Sequence, residues 1–217
     1  MNQDHIYAVL TGDLIKSSRF SMKQRRQTIS AIEDLAAHMP ALFGGTVIGP
    51  EIFRGDSWQL LLSESRYALH AACCIRAGLR SRNLLDTRIG IGIGDAQVSP
   101  DRLGQSDGIA FRLSGAALDE LMRGETLACR VDALAGNNPV QSLLDAALGF
   151  AARVMDEWSL LQAFAVEKAL AGLTQKKIAA EWPNGATTQQ NVTAMLRRAG
   201  WPQLSRLFTA FQHAINN

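Results

Sequence analysis

The sequence predicts an α/β protein of the α+β kind, with a ferredoxin-like sheet domain at residues 1–136 and an all-α helix-turn-helix domain at residues 139–217. Three observations lead to this prediction. Short apolar runs alternate with helix-like periodicity in the first half. Glycine is concentrated before Gly136, whereas the later chain is rich in Ala, Leu and Gln. A turn-forming cluster at Ala135–Pro139 separates the two compositions.

The composition is that of an ordinary globular protein. Of the 217 residues, 47% are hydrophobic and 19% are charged, which excludes disorder of the whole chain. The three cysteines are too few for a disulfide framework, and the adjacent Cys73 and Cys74 lie in an apolar run, which predicts buried thiols in a reducing compartment. No leader opens the chain, and no apolar run has membrane-spanning length. We therefore expect a cytoplasmic protein without a membrane partner.

The first half has the order of a split βαβ unit. A short apolar run typical of a central strand comes first, and Pro40 is expected to stop the helix that follows it. The predicted elements are a strand at 6–10, a helix at 21–38, strands at 46–53 and 57–62, a helix at 65–80, a strand at 88–94, a helix at 109–122 and a strand at 126–131.

The strand at 88–94 has an unusual pattern, because isoleucine and glycine alternate along it. One face of such a strand buries the isoleucines, while the other face carries no side chains. The pattern therefore predicts a helix packed very closely over the glycines.

Two aspartates stand out at the ends of predicted strands. Asp13 follows the first strand, and Asp56 lies in the hairpin Arg54-Gly55-Asp56 between the second and third strands. In a ferredoxin-like sheet the first strand is central and pairs with the third, so the two carboxylates are expected at one edge. Neighbouring carboxylates repel each other without a cation between them, which favours a Mg²⁺ or Mn²⁺ site. The alternative is that both residues only form turns.

Several short motifs resemble the class III nucleotide cyclases, and together they resemble the SatD family of cyclase-like bacterial proteins. The segment around Asp13 is similar to the first metal-binding segment of the cyclases, and the segment around Asp56 is similar to the second. The motifs are Thr11-Gly12-Asp13-Leu14-Ile15-x-Ser17-Ser18, Arg54-Gly55-Asp56-Ser57-x-Gln59, Arg88-Ile89-Gly90-Ile91-Gly92 and, for SatD, Asp107-Gly108-x-Ala110-Phe111-Arg112-Leu113-Ser114-Gly115-x-Ala117-Leu118.

The resemblance implies a cyclase-like domain with Mg²⁺ or Mn²⁺ on Asp13 and Asp56, and a nucleotide bound near Gly55 and Arg112. The sequence departs from the working cyclase pattern. Ile52 stands where cyclases have a lysine that selects the base. Arg112 and Ala116 stand where they have an asparagine and a transition-state arginine. Losing a positioned donor of this kind costs orders of magnitude in rate, so the resemblance implies a degenerate cyclase domain.

The second half predicts helices only. Helices are expected at 140–158 and at 159–171, followed by a helix capped by Thr174 that turns Ile178 and Ala179 inward. After the turn at 183–186, Thr187 or Thr188 caps another helix. Gly200 is expected to end that helix, with the proline at 202 preventing its continuation.

This pair of helices predicts a helix-turn-helix that binds double-stranded DNA. It is similar to the helix-turn-helix of sigma-factor region 4, with a turn about three residues longer than usual. Residues 172–217 hold five basic side chains against Glu181 alone, which favours phosphate contacts. The candidate DNA-binding residues are Lys176, Thr188, Gln189, Gln190, Asn191, Thr193, Arg197 and Arg198. The alternative is a helical bundle used for dimerisation.

Together these features predict a bacterial transcriptional regulator that acts as a homodimer. Its cyclase-like domain would dimerise or sense a nucleotide or a metal, and its helix-turn-helix would bind duplex DNA. A second interpretation is a metal-dependent nucleotide enzyme, of cyclase or phosphotransfer type, that uses Asp13 and Asp56. A third is a scaffold with a degenerate cyclase-like dimer and a protein-binding bundle.

Overall fold

The structure is a computed structural model that describes residues 5–53, 55–99, 102–136, 138–183 and 185–216. Arg54, Asn137 and Asn184, which belong to predicted turns, lie outside these residues. The strands are β1 (Tyr7–Leu14), β2 (Val47–Phe53), β3 (Ser57–Leu62), β4 (Thr87–Gly94) and β5 (Leu127–Val131). The helices are α1 (Met22–Phe43), α2 (Ala68–Ser81), α3 (Ile109–Asp119), α4 (Pro139–Asp156), α5 (Leu160–Leu170), α6 (Gln175–Ala180), α7 (Gln189–Arg198) and α8 (Trp201–Asn216).

The strands form one mixed sheet in the order β2-β3-β1-β4-β5. β1 is antiparallel to both β3 and β4, β2 is antiparallel to β3, and β5 is parallel to β4. The first four strands therefore have the split βαβ arrangement, with the first strand in the centre. The predicted mixed α/β architecture is confirmed.

The glycine face of β4 is covered by α3, as the alternating pattern predicts. A Cβ atom added to Gly92 would stand 2.1 Å from the carbonyl oxygen of Ala110 and 2.3 Å from the nitrogen of Ser114. One at Gly90 would stand 2.3 Å from the carbonyl oxygen of Ser114. The helix backbone lies directly on the strand because no side chain separates them.

The opposite face of the sheet packs on α2, which is buried along nearly its whole length. Between Ala68 and Leu79, His70 alone is not fully buried. The sheet covers one side of α2, while α5 and α8 contact it from the other side. The apolar core is therefore continuous from the strands into the C-terminal helices, and Leu10 and Phe211 belong to one cluster.

Two helix boundaries differ from the sequence prediction, and both involve proline. Pro40 does not stop α1, which continues to Phe43 with Gly44 as its C-cap. Buried Met39 and Phe43 anchor this last turn in the core, which compensates for the missing N–H. The sequence prediction also missed α8. Pro202 is the second residue of that helix, a position where a backbone N–H would have no helical partner, so the missing N–H of proline costs nothing.

The cysteines agree with the sequence expectation. Cys73, Cys74 and Cys129 are buried free thiols. Burial raises the pKa of the Cys73 thiol to about 12, so it stays protonated and unreactive at neutral pH. Among the described residues, no helix has both the length and the apolar character needed to cross a membrane.

Candidate functional site

The sheet places Asp13 and Asp56 at the same end of neighbouring strands, although β1 extends to Leu14 and Asp13 lies within the strand and not after it as predicted. In the antiparallel β1–β3 pair, Asp13 lies opposite Ser57, the residue after Asp56. The backbone nitrogen of Leu14 donates to the carbonyl oxygen of Asp56 over 3.0 Å, which fixes the hairpin beside the end of β1. The structure thus brings these two residues together as neighbours.

Each of the two carboxylates accepts a hydrogen bond from a nearby side chain. Arg88, at the start of β4, donates its Nε to Asp13 Oδ1 over 2.9 Å and its Nη2 to Asp13 Oδ2. The hydrogen bond to Asp13 raises the pKa of the Arg88 guanidinium above its ordinary value. Ser17 Oγ donates to Asp56 Oδ2 over 2.6 Å. Asp13 is therefore neutralised by a bidentate ion pair, and Asp56 has a neutral partner.

The donor chemistry of Asp13 and Asp56 fits a divalent cation. Mg²⁺ and Mn²⁺ prefer carboxylate oxygens, and each such oxygen has two lone pairs, so the Arg88 and Ser17 contacts leave acceptor capacity on both groups. Among the described residues, no group of three or more His, Cys, Asp or Glu side chains is placed to hold a metal. An ion at these two carboxylates would therefore need water or phosphate oxygens for its remaining ligands.

The two residues proposed for nucleotide binding lie in different places. Gly55 has a φ of +82°, is exposed in the β2–β3 turn, and lines a cleft of about 490 Å³ together with Arg25 and Arg26. Arg112 lies elsewhere. It is on the first turn of α3, is 63% exposed and pairs with Asp107 over 3.1 Å.

The position of Arg112 along the sheet separates it from the acidic end. The first turns of α3 lie over Gly92 of β4, which pairs with Val9 of β1. Val9 is four residues from Asp13, or about 13 Å along the strand. The structure thus brings Gly55 to the acidic end and leaves Arg112 towards the opposite end of the sheet.

Helices α6 and α7 form the second candidate site, and their N-terminal caps are as predicted. Thr174 accepts from the nitrogen of Lys177, and Thr188 accepts from the nitrogen of Asn191. In the connection between the helices, the nitrogen of Thr187 donates to the carbonyl oxygen of Ala179 over 2.9 Å. This bond ties the start of α7 back to the end of α6.

The apolar anchors of both helices are buried, and a polar face of α7 is left in solvent. Ile178 and Ala179 of α6 and Val192 and Leu196 of α7 are buried, as the sequence predicts. The exposed candidate DNA-binding residues are Lys176, Thr188, Gln189, Gln190, Thr193, Arg197 and Arg198.

Two of the predicted DNA-contacting side chains already have partners within the protein. The Asn191 side-chain amide donates to Thr187 Oγ1 over 3.0 Å, and Asn191 is half-buried. Thr193 Oγ1 lies 2.6 Å from Gln175 Oε1, which joins α7 to the first turn of α6. Thr193 thus joins α7 to α6, and Asn191 joins α7 to the connection before it. Gln189 and Gln190, at the N-terminal end of α7, are left as the polar side chains available to DNA.

The charge on this surface is positive. Helix α7 carries Arg197 and Arg198 and no acidic residue. Lys168 forms an ion pair with Glu181 over 2.9 Å. This pair neutralises the one acidic side chain of residues 172–217.

The sequence analysis identified Asp13 as a candidate site residue but did not predict that Arg88 pairs with it. Arg88 opens the motif Arg88-Ile89-Gly90-Ile91-Gly92, but its pairing with Asp13 depends on the β1–β4 register, in which the two residues are directly opposite. Once β1 and β4 are known to be antiparallel, the arginine at the start of β4 is the signal that locates this ion pair.

Comparisons with known proteins give distant similarity to cyclases. No protein-family profile and no curated protein matches the chain. Similar solved structures include the guanylyl cyclase Cya2, which is 19% identical, with 52% of this chain and 69% of that chain covered and a TM-score of 0.40. They also include a bacterial light-regulated adenylyl cyclase, which is 13% identical, with 57% of this chain and 42% of that chain covered and a TM-score of 0.42. At such TM-scores, function has to be inferred from the residues of this chain.

Proposed function

We propose that the protein binds double-stranded DNA through α7, as a transcriptional regulator of helix-turn-helix type. The observation that carries the proposal is the exposed face of α7. Gln189 and Gln190 stand at its capped N-terminal end and Arg197 and Arg198 in its last turn, while Val192 fixes the helix to the core. An anchored helix with polar groups at its N-terminal end is what major-groove recognition requires.

The roles of the side chains follow from their chemistry. Glutamine suits bidentate contact with adenine, so Gln189 and Gln190 would read base edges. Arg197, Arg198 and Lys176 would bind phosphates, which position the protein without reading sequence. The hydroxyl of Thr193, held by Gln175, keeps α6 and α7 at a fixed angle during this contact.

Fluorescence anisotropy with a labelled duplex from upstream of the protein's own gene tests this proposal, with a scrambled duplex for comparison. The Arg197→Ala/Arg198→Ala variant should weaken binding to both duplexes and reduce the salt slope by about 2, because each lost phosphate contact removes about one unit. The Gln189→Ala/Gln190→Ala variant should reduce the difference in affinity between the upstream duplex and the scrambled duplex. Each bidentate base contact contributes about 1–3 kcal/mol to this discrimination.

The matched control removes two exposed basic residues from the other half of the chain. Arg19, just before α1, and Lys23, on α1, are exposed, so Arg19→Ala/Lys23→Ala lowers the net charge equally. This control should bind like the wild type. An equal loss of DNA affinity in the α1 and α7 variants would mean that non-specific charge attraction alone binds the DNA. Absence of binding at low salt would refute the proposal.

We also propose a divalent cation and nucleotide site at Asp13 and Asp56, either for sensing or for phosphotransfer. The observation that favours it is the pairing of β1 with β3, which places both aspartates at one end of the sheet. A cleft lined by Gly55, Arg25, Arg26 and Glu33 lies next to the hairpin that carries Asp56. Asp13 and Asp56 would hold the ion, and Arg25 and Arg26 would attract the phosphates. The ion would supply neutralisation of phosphate charge.

Binding of Mn²⁺, measured by the rise in thermal stability with and without ATP or GTP, tests this second proposal. Asp13→Asn and Asp56→Asn should each abolish the stabilisation, whereas Asp132→Asn, at an exposed aspartate after β5, should not. Arg88→Ala should strengthen Mn²⁺ binding, because it removes the guanidinium that neutralises Asp13. Equal stabilisation of all four variants would contradict the site. Turnover of nucleotide that is lost in both Asp13→Asn and Asp56→Asn would distinguish an enzyme from a sensor.

A further inference from the structure

We propose that the exposed side of α4 is an interface for a second copy of this chain, which packs against it antiparallel. The proposal rests on apolar side chains that the single chain leaves in solvent. Leu143 is 71% exposed, Phe150 77%, Val140 47% and Val154 37%. All four lie on α4, whereas the other exposed large hydrophobic residues of the described chain are scattered over several elements.

Helix α4 carries two apolar stripes, and the fold uses one of them. Leu148, Ala151, Ala152 and Met155 are buried against the body of the protein. A surface helix of a monomer needs only one such stripe. The second stripe therefore has no partner within the described chain.

The spacing of the exposed stripe indicates a helical partner. Val140, Leu143, Ala147, Phe150 and Val154 alternate steps of three and four residues, which is the 3.5-residue period of helices that pack along each other.

Four of the five stripe positions are complementary to one another in the antiparallel direction, while Val140 comes opposite Glu157. When the large Phe150 of one copy faces the small Ala147 of the other, Leu143 faces Val154 in the same register. Each contact then occurs twice about a two-fold axis, as in an isologous dimer. In a parallel pair, by contrast, Phe150 would meet Phe150 and Ala147 would meet Ala147, which leaves a crowded layer beside an empty one.

The charged residues beside the stripe are paired within one copy. Arg153 and Glu157 flank the stripe and form an ion pair within one copy. Because this ion pair carries no net charge, it does not repel a second copy.

The area also fits a second copy. The stripe exposes on the order of 400 Å² of apolar surface, which is within the range of the largest apolar patches on monomers, patches that are often functional. With its polar flanks, a pair of such faces buries on the order of 1,000–1,200 Å² in total, which is the lower end for specific interfaces. We therefore expect a reversible dimer whose population rises with protein concentration.

Sedimentation over a range of protein concentrations tests the interface directly. The wild type should shift from 23.6 kDa towards twice that mass. Phe150→Glu should raise the dimer dissociation constant by about 30-fold or more, as expected for a central interface anchor. Met22→Glu is the matched control, because Met22 is a large hydrophobic residue, 60% exposed, on a different helix.

Disulfide trapping tests the direction of packing and does not depend on Phe150→Glu folding. In the Leu143→Cys/Val154→Cys variant, oxidised glutathione should link two copies. The thiol at position 143 of one copy faces the thiol at position 154 of the other. Within one copy these positions are 11 residues apart, about 16 Å along the helix, which is too far for a disulfide. The single variants are the controls and should link much less, since identical positions are equally far apart. The native cysteines are buried.

Three results would overturn the proposal. The wild type could remain monomeric at every concentration, the dimer could survive Phe150→Glu unchanged, or the single-cysteine variants could link as fast as the double variant. This inference does not depend on DNA binding, because sedimentation and trapping are done without DNA.

Discussion

Replacing Gly92 by alanine tests the close packing of α3 on β4. The added Cβ would lie 2.1 Å from the carbonyl oxygen of Ala110 and 2.3 Å from the nitrogen of Ser114, whereas ordinary contacts of this kind are beyond 3.4 Å. Both obstacles are helix backbone, so the whole of α3 must retreat by about 1 Å. Overpacking of a core costs about 1–3 kcal/mol, and a rigid obstacle places Gly92→Ala at or above the upper end, near 3 kcal/mol.

Urea unfolding monitored by circular dichroism measures this loss in the free energy of unfolding. Gly115→Ala is the matched control, because Gly115 also lies at the α3 layer but has no atom within 4 Å of an added Cβ. Within a helix, this change should stabilise the protein by about 0.5–1 kcal/mol. A loss below about 1 kcal/mol for Gly92→Ala would refute the argument that the glycine face exists to admit the helix.

Three further predictions concern buried polar groups. Arg76 is 2% exposed and contacts Asp86 over 2.5 Å and Asp156 over 2.7 Å, so Arg76→Ala should lower the free energy of unfolding by about 3–5 kcal/mol in urea titrations, because two carboxylates lose their buried counter-charge. Burial lowers the pKa of His70 to about 4 in the folded protein, against 6.5 in the unfolded chain. Between pH 6.5 and pH 4 the unfolded chain therefore binds more protons than the folded protein, and a fall in pH favours unfolding. Stability should drop by up to about 3 kcal/mol across that window, and His70→Phe should lack this component in unfolding measured at several pH values. Trp158 donates its Nε1 to the carbonyl oxygen of Ala199 over 2.9 Å in a buried position, so Trp158→Phe should cost about 1–3 kcal/mol, seen as a lower Tm.

The parts of the fold that depend on local pattern could be predicted from the sequence. The alternation of isoleucine and glycine in β4 indicated both the strand and the helix on its bare face, because side chains alternate between the two faces of a strand. The neighbouring positions of Asp13 and Asp56 followed from the strand order, since a central first strand pairs with the third. These inferences needed only the order of the elements.

Features that depend on packing between distant segments could not be predicted. Pro40 would end an isolated helix, but buried Phe43 keeps α1 in place beyond it. Arg88 and Asp13 meet only because of the β1–β4 register. Thr193 was predicted to contact DNA, but its hydroxyl pairs with Gln175, 18 residues away, once α6 and α7 pack together. In each of these cases, a tertiary contact overrides the local preference.

The burial of α2 determines how cooperatively the two halves of the chain unfold. Because α2 is covered by the sheet on one side and by α5 and α8 on the other, neither half has a complete core alone. Detaching the C-terminal helices would expose a face of α2 rich in alanine, cysteine and isoleucine to water, at a free-energy cost that grows with its apolar area. The backbone amides of α2 should therefore belong to the slowest-exchanging cooperative unit, one that opens only when the whole chain unfolds.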